Sequence, residues 1–129
     1  MIVGIGCDLV RVARVERLLS LYGDKFLRRA YHASEIAVVQ QAQSREAAAR
    51  YAASRWAVKE AVFKAVGGQW RLRFPDVYVA PIDAGSRRPA LRFDGDTALR
   101  MAAAGVGEHF VSISHEDQYA MAQVVLCRK

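Results

Sequence analysis

The longest helical pattern in the chain runs from Arg45 to about Val66, is rich in alanine, contains no glycine or proline, and stops at Gly67-Gly68. At 1.5 Å per residue such a helix spans about 30 Å, the diameter of a small domain. The rest of a 129-residue chain therefore has to pack around it. Within this helix Glu60 and Lys64 stand one turn apart, and Ala53, Trp56, Ala57 and Phe63 fall within about 60° of Glu60 around the axis. The two charges thus interrupt a face that ought to pack. An unpaired buried ion costs several kcal/mol, whereas a solvated Glu-Lys pair at this spacing is worth only about 0.2–0.5 kcal/mol. The helix alone favours the solvated pair, and the other end of the chain changes that balance.

Residues 1–8 read Met-Ile-Val-Gly-Ile-Gly-Cys-Asp, a short apolar run that ends on an acid. Ile2 to Cys7 is read as a strand, with Asp8 placed to cap the periodic segment that follows. Val10 to Tyr22 is an amphipathic helix with Val12, Val15, Leu18 and Leu19 on one side and Arg11, Arg14 and Arg17 on the other. Gly23-Asp24 breaks it. Lys25 to Tyr31 makes a short helix, and Ser34 is placed to cap another from Glu35 to about Gln43. Beyond the glycines the pattern becomes extended: strands at Phe74 to Ala80 and Ala90 to Phe93 flank a turn containing Pro81, Asp83, Gly85, Ser86 and Pro89. Asp96 to Ala104 is a short helix ended by Gly105, and Phe110 to Ser114 pairs with Tyr119 to Leu126 as a hairpin. This order predicts a single α+β domain over 1–129, with a small antiparallel sheet packed on the long central helix and the first strand joining the last two.

Nineteen basic against thirteen acidic residues give a net charge of +6 and favour an anionic partner. Nucleic acid is the weakest choice, because Tyr22, Trp56, Phe63 and Trp70 are not interleaved with basic residues as a stacking surface. No apolar stretch reaches the length of a membrane span, and no basic region precedes the first apolar run. The expectation is a cytoplasmic protein without membrane contact. Cys7 and Cys127 are expected to be thiols, and His32, His109 and His115 lack partners at zinc-ligand spacing.

Five elements in order carry a resemblance over nearly the whole chain: Gly4-Ile5-Gly6-x-Asp8, then Arg14 six residues after the acid, Ser34-Glu35, Arg55-Trp56-x-x-Lys59-Glu60-x-x-x-Lys64-Ala65, and Val111-Ser112-Ile113-Ser114-His115. The chain resembles the holo-(acyl-carrier-protein) synthases, the small bacterial type of 4′-phosphopantetheinyl transferase. The resemblance implies transfer of the 4′-phosphopantetheine arm of coenzyme A to a serine of an apo acyl carrier protein, releasing adenosine 3′,5′-bisphosphate. It implies magnesium held by Asp8 and Glu60, and Lys64 on the diphosphate. Glu60, directly or through a water, is the first candidate for general base. Coenzyme A is assigned to Arg55, Lys64, His115 and the turn Arg87-Arg88-Pro89, with Arg45 a further candidate for its 3′-phosphate. Carrier docking falls to Arg14 and Arg28, and the family's assembly is a homotrimer with sites between subunits.

The chain departs from the usual pattern in places. Tyr31-His32 replaces a Leu-Thr pair, Ser86-Arg87-Arg88-Pro89 lacks the glycine of a Gly-x-Pro turn, and Gly67-Gly68-Gln69-Trp70 is compact for a segment expected beside the cofactor. None of these touches Asp8, Glu60 or Lys64. The alternative is a carrier-binding module without catalysis. Whether the carrier serves fatty-acid or polyketide synthesis stays open.

Overall fold

The structure is a computed structural model, and it describes residues 1–68 and 70–129; Gln69, in the compact segment named above, lies outside the described residues. In chain order the elements are β1 (Ile2–Arg11), α1 (Val12–Tyr22), α2 (Asp24–Ala30), α3 (Ala33–Gln40), α4 (Arg45–Ala65), a 3-10 turn (Phe74–Asp76), β2 (Val77–Pro81), β3 (Pro89–Phe93), α5 (Gly95–Ala103), β4 (Val106–His115) and β5 (Tyr119–Arg128). The fold is α+β, as expected. β1 joins the two C-terminal strands in an antiparallel sheet of order β1-β5-β4, while β2 and β3 form a separate two-stranded sheet.

Helix α4 starts with the Ser44 side chain accepting from the Ala47 amide at 3.0 Å, a cap worth about 1 kcal/mol. Its alanines explain how the rest of the chain fits around it. Ala49, Ala52, Ala53, Ala57 and Ala61 are all fully buried, and their small side chains let β1 and β5 approach the helix axis. β5 meets it with Ala120, Ala122, Val124 and Leu126, every second residue, while Met121 and Gln123 point away. On the other side of α4, buried Tyr31 donates its hydroxyl hydrogen to the Ala52 carbonyl at 2.7 Å, tying the start of α3 to the central helix.

Three local expectations are corrected. β1 does not end at Cys7 but continues to Arg11; Asp8 is an interior strand residue, and α1 begins at Val12 with no side-chain cap. Period two persists through Gly4, Gly6, Asp8 and Val10, so the acid lies on the helix-facing side of a strand that has not yet finished. Helix α3 is capped by His32, not Ser34: the His32 ring accepts from the Ser34 amide at 3.1 Å, and Glu35 accepts from the His32 amide at 2.8 Å. The two side chains close a capping box two residues early. Phe74 to Asp76 is a 3-10 turn with Pro75 inside it, and the strand starts only at Val77. Proline cannot donate to a ladder, which accounts for the delay.

Candidate active site

β1 reaches α4 through its glycines. A Cβ built on Gly4 would fall within the Ala65 carbonyl group, and one built on Gly6 within that of Ala61. Both positions therefore have to lack a side chain. Moving from Gly4 to Gly6 steps back one turn of α4, from Ala65 to Ala61. The next residue on the same face of the strand is Asp8.

There the Lys64 ammonium lies 3.1 Å from Asp8 Oδ1 and 3.0 Å from the Cys7 carbonyl oxygen. The Asp8 side chain is 15 % exposed and that of Lys64 52 %, so the pair sits at the mouth of the crevice between strand and helix. Glu60, one turn before Lys64, is half-buried. Its carboxyl is raised above the usual glutamate range by burial and then by the negative charge of Asp8; Lys64 and Arg14 draw it back down. Two carboxylates thus feel one another across the crevice with a lysine between strand and helix and an arginine of α1 in electrostatic reach. Such an arrangement of charges suits a cation or a phosphate group.

A second groove lies on the other flank of α4, lined by Val38, Arg50, Tyr51, Ser54, Arg55 and His115. Arg55 stacks over the Tyr51 ring at 4.5 Å and donates to Ser54 Oγ at 2.9 Å, yet its Nε is buried without a hydrogen-bond partner. An unpaired guanidinium nitrogen beside an aromatic ring suits an anion attached to a flat ring. Arg50 and Tyr51 were not foreseen as site residues; both lie one to two turns before Arg55 in a helix that reads as ordinary amphipathic surface.

A scan against family models matches residues 4–124 to the 4′-phosphopantetheinyl transferase superfamily. The chain belongs to that family. It is 44 % identical over 128 residues to the holo-(acyl-carrier-protein) synthase of Alkalilimnicola ehrlichii, covering 98 % of this chain and 97 % of that one. Among solved structures, the Neisseria meningitidis holo-(acyl-carrier-protein) synthase superposes with a TM-score of 0.86 at 30 % identity, covering 99 % of this chain and all of the other. The synthase of Bacillus anthracis, solved in complex with CoA (3′,5′-ADP), superposes at 0.75 with 34 % identity, covering 98 % and 96 %.

Against this transferase frame, the structure brings together Asp8, Glu60 and Lys64 in one crevice and Arg55 and His115 in one groove. It does not bring Pro89 to either. Pro89 lies with Arg88, His109 and Phe110 in a separate groove between β3 and β4. Arg45 is exposed at the start of α4 and donates to Ser20 on α1, so within this chain Arg50, not Arg45, accompanies Arg55. Arg14 is exposed on α1, and Arg28 on α2 lines a further groove.

The most deeply buried charge is Lys59, which the sequence offers only as part of a motif, with neither its burial nor its partner foreseen. Lys59 is fully buried and pairs with Glu35 at 2.8 Å; burial pushes the ammonium below the usual lysine range while Glu35 pulls it back up. Removing one partner of such a pair costs about 3–5 kcal/mol. Its helical spacing from Ala52 and Val62 was the available signal, because both of those neighbours are apolar. Cys7 and Cys127 are free thiols, Cys7 exposed on the open face of β1.

Proposed function

We propose that this chain is a magnesium-dependent holo-(acyl-carrier-protein) synthase, which transfers the 4′-phosphopantetheine arm of coenzyme A to a serine of an apo acyl carrier protein. The observation that carries the reading is the crevice in which Asp8 of β1 meets Lys64 and Glu60 of α4. In the reaction the serine oxygen forms a bond to the phosphorus nearer the pantetheine, the bond from that phosphorus to the bridging oxygen breaks, and adenosine 3′,5′-bisphosphate leaves.

Magnesium fits the protein groups present. The two protein donors are both carboxylates, the oxygen ligands that magnesium prefers while it keeps several waters. Asp8 and Glu60 would hold the ion, which when bound neutralises diphosphate charge. Lys64 contributes a compact positive charge at the mouth of the same crevice, where it binds the diphosphate and stabilises charge on the leaving phosphate. Glu60, its carboxyl raised by burial and by Asp8, would take the serine proton, directly or through a water. Arg55, with its unpaired Nε, and His115 receive the adenosine 3′-phosphate end.

The separation of Pro89 from Arg55 and His115 supports a site completed by a second copy. So does the outer face of the three-stranded sheet, where Ile5, Leu9, Phe110 and Met121 are exposed. A homotrimer with three shared sites is the proposed assembly. No helix among the described residues is long and apolar enough to cross a membrane, and free thiols at Cys7 and Cys127 agree with work in the cytoplasm.

Incubation with an apo acyl carrier protein, coenzyme A and magnesium, followed by intact-mass measurement of the carrier, tests the reaction. The expected gain equals the phosphopantetheine arm. Binding of the carrier without any gain would leave a docking module.

A further inference from the structure

A groove of about 740 Å³ opens between α2 and the segment that follows α4, with Arg28 and Arg29 on one wall and Arg71 and Arg73 on the other. Phe26 and Trp56 line its floor. The first wall is a helix with its own hydrogen bonds. The second is not: residues 71–73 belong to no helix or strand, and regular structure resumes only at Phe74.

Lys59 braces the end of that segment. Its ammonium donates to the Phe74 carbonyl at 2.9 Å, to the Val77 carbonyl and to Glu35 at 2.8 Å, so all three of its hydrogens are used. The Trp56 and Phe74 rings meet edge to face with centroids 5.3 Å apart, and Leu72 is buried in the core. Asp76 accepts from the Thr97 hydroxyl at 3.1 Å and from the Asp94 amide at 2.9 Å, and the exposed Arg73 lies 3.7 Å from Asp76. A surface ion pair of that length holds little. The buried ammonium is the charged link from the central helix to the backbone at the end of the arginine-bearing segment.

We propose that Lys59 is a positioning residue for the carrier: it fixes the Arg71–Asp76 wall so that Arg71 and Arg73 face Arg28 and Arg29 across one docking groove. Four guanidinium groups around an apolar floor match an acidic amphipathic helix, acidic residues on the rim and an apolar side chain below. The inference rests on the transferase reading for the identity of the partner, whereas the mechanical tie stands independently of it. Lys59 touches no reacting group and acts through the wall alone.

The test uses Lys59→Met together with the double variant Glu35→Gln/Lys59→Met. The single variant strands a buried carboxylate and is expected to unfold easily; the double variant removes both charges, a change that buried ion pairs often tolerate. In the folded double variant, trypsin is expected to cut after Arg71 and Arg73 faster than in the wild type. The Michaelis constant for the apo carrier should rise about tenfold, with turnover and the constant for coenzyme A near wild type. Arg71→Glu/Arg73→Glu, with Lys59 intact, should raise the carrier constant without faster cleavage at any remaining site in the chain. Unchanged trypsin sensitivity of the folded double variant would overturn the tie. A rise confined to the coenzyme A constant would overturn the assignment of the groove to the carrier. Failure of the wild type to modify any carrier would strike the transferase reading, while the proteolysis comparison still decides the role of Lys59.

Discussion

The Lys64 ammonium lies 3.1 Å from Asp8 Oδ1 although the two residues are 56 positions apart. That contact exists because Gly4 and Gly6 bring β1 against the backbone of α4 at Ala65 and Ala61, which leaves Asp8 opposite the turn that carries Glu60 and Lys64. Strand, glycines, acid and helix are therefore one device, and the chemistry depends on the closeness of the packing.

Asp8→Ala and Glu60→Ala are each expected to reduce transfer by about 100-fold or more, the scale of losing an electrostatic contact to a reacting phosphate. Lys64→Ala should lower turnover and weaken coenzyme A binding together. Steady-state kinetics on variants with unchanged far-UV circular dichroism supply the check. Near wild-type turnover in either carboxylate variant would remove it from the site.

Gly6→Ala places a methyl group against the Ala61 carbonyl, a backbone group that cannot swing aside. Overpacking of this kind costs about 1–3 kcal/mol or more. Urea unfolding should show a lower midpoint, and turnover should fall further than stability does, since the strand must shift away from Lys64. A variant as stable and active as the wild type would mean that β1 and α4 are not so closely packed.

Burial and Asp8 raise the Glu60 carboxyl, while Lys64 and Arg14 lower it. In metal-free buffer, Asp8→Asn should move the Glu60 titration to lower pH and Lys64→Met should move it higher, read by carbon NMR of the labelled carboxyl. Because folding raises this group, its protonated form favours the folded chain, and that increment is lost as pH rises through the raised value. A Glu60 titration indifferent to both substitutions would separate the three side chains electrostatically.

The residues of this crevice are legible only through the ordered motifs of the resemblance: the helix by itself favours a solvated Glu60-Lys64 pair, and Asp8 by itself a cap. A polar residue after apolar ones resembles a strand end, and only the alternation continuing to Val10 distinguishes the two. The Lys59-Glu35 pair joins residues 24 apart on different helices, and no local period encodes that meeting. Likewise Ser34 looks like a cap until the fold brings His32 within 3.3 Å of Asp94 and stacks its ring on Tyr78. Partners chosen by tertiary packing leave little trace in the neighbouring sequence.

Leu9 and Met121 face one another in register on the open side of the sheet, 64 % and 40 % exposed. Sedimentation equilibrium of the wild type at micromolar concentration should give the mass of three chains. Leu9→Lys/Met121→Lys puts two charges on that face and should yield single chains with little transferase activity. An active wild-type monomer would refute the shared-site assembly.

Arg14 acts in two ways that one substitution can separate. It is exposed on α1, where the transferase reading has it meet an acidic carrier, and its charge also helps to hold the Glu60 carboxyl down. Arg14→Glu should therefore raise the Michaelis constant for the apo carrier, with a loss that shrinks as salt screens both proteins. Coenzyme A affinity should stay near normal. The same variant should also shift the acid limb of the turnover profile to higher pH, because a positive charge that favoured the Glu60 carboxylate has become a negative one. Arg14→Gln should give about half of each effect. A carrier effect without a shift in the pH profile would place Arg14 in docking alone, and equal losses for both substrates would trace instead to a defect in folding or assembly.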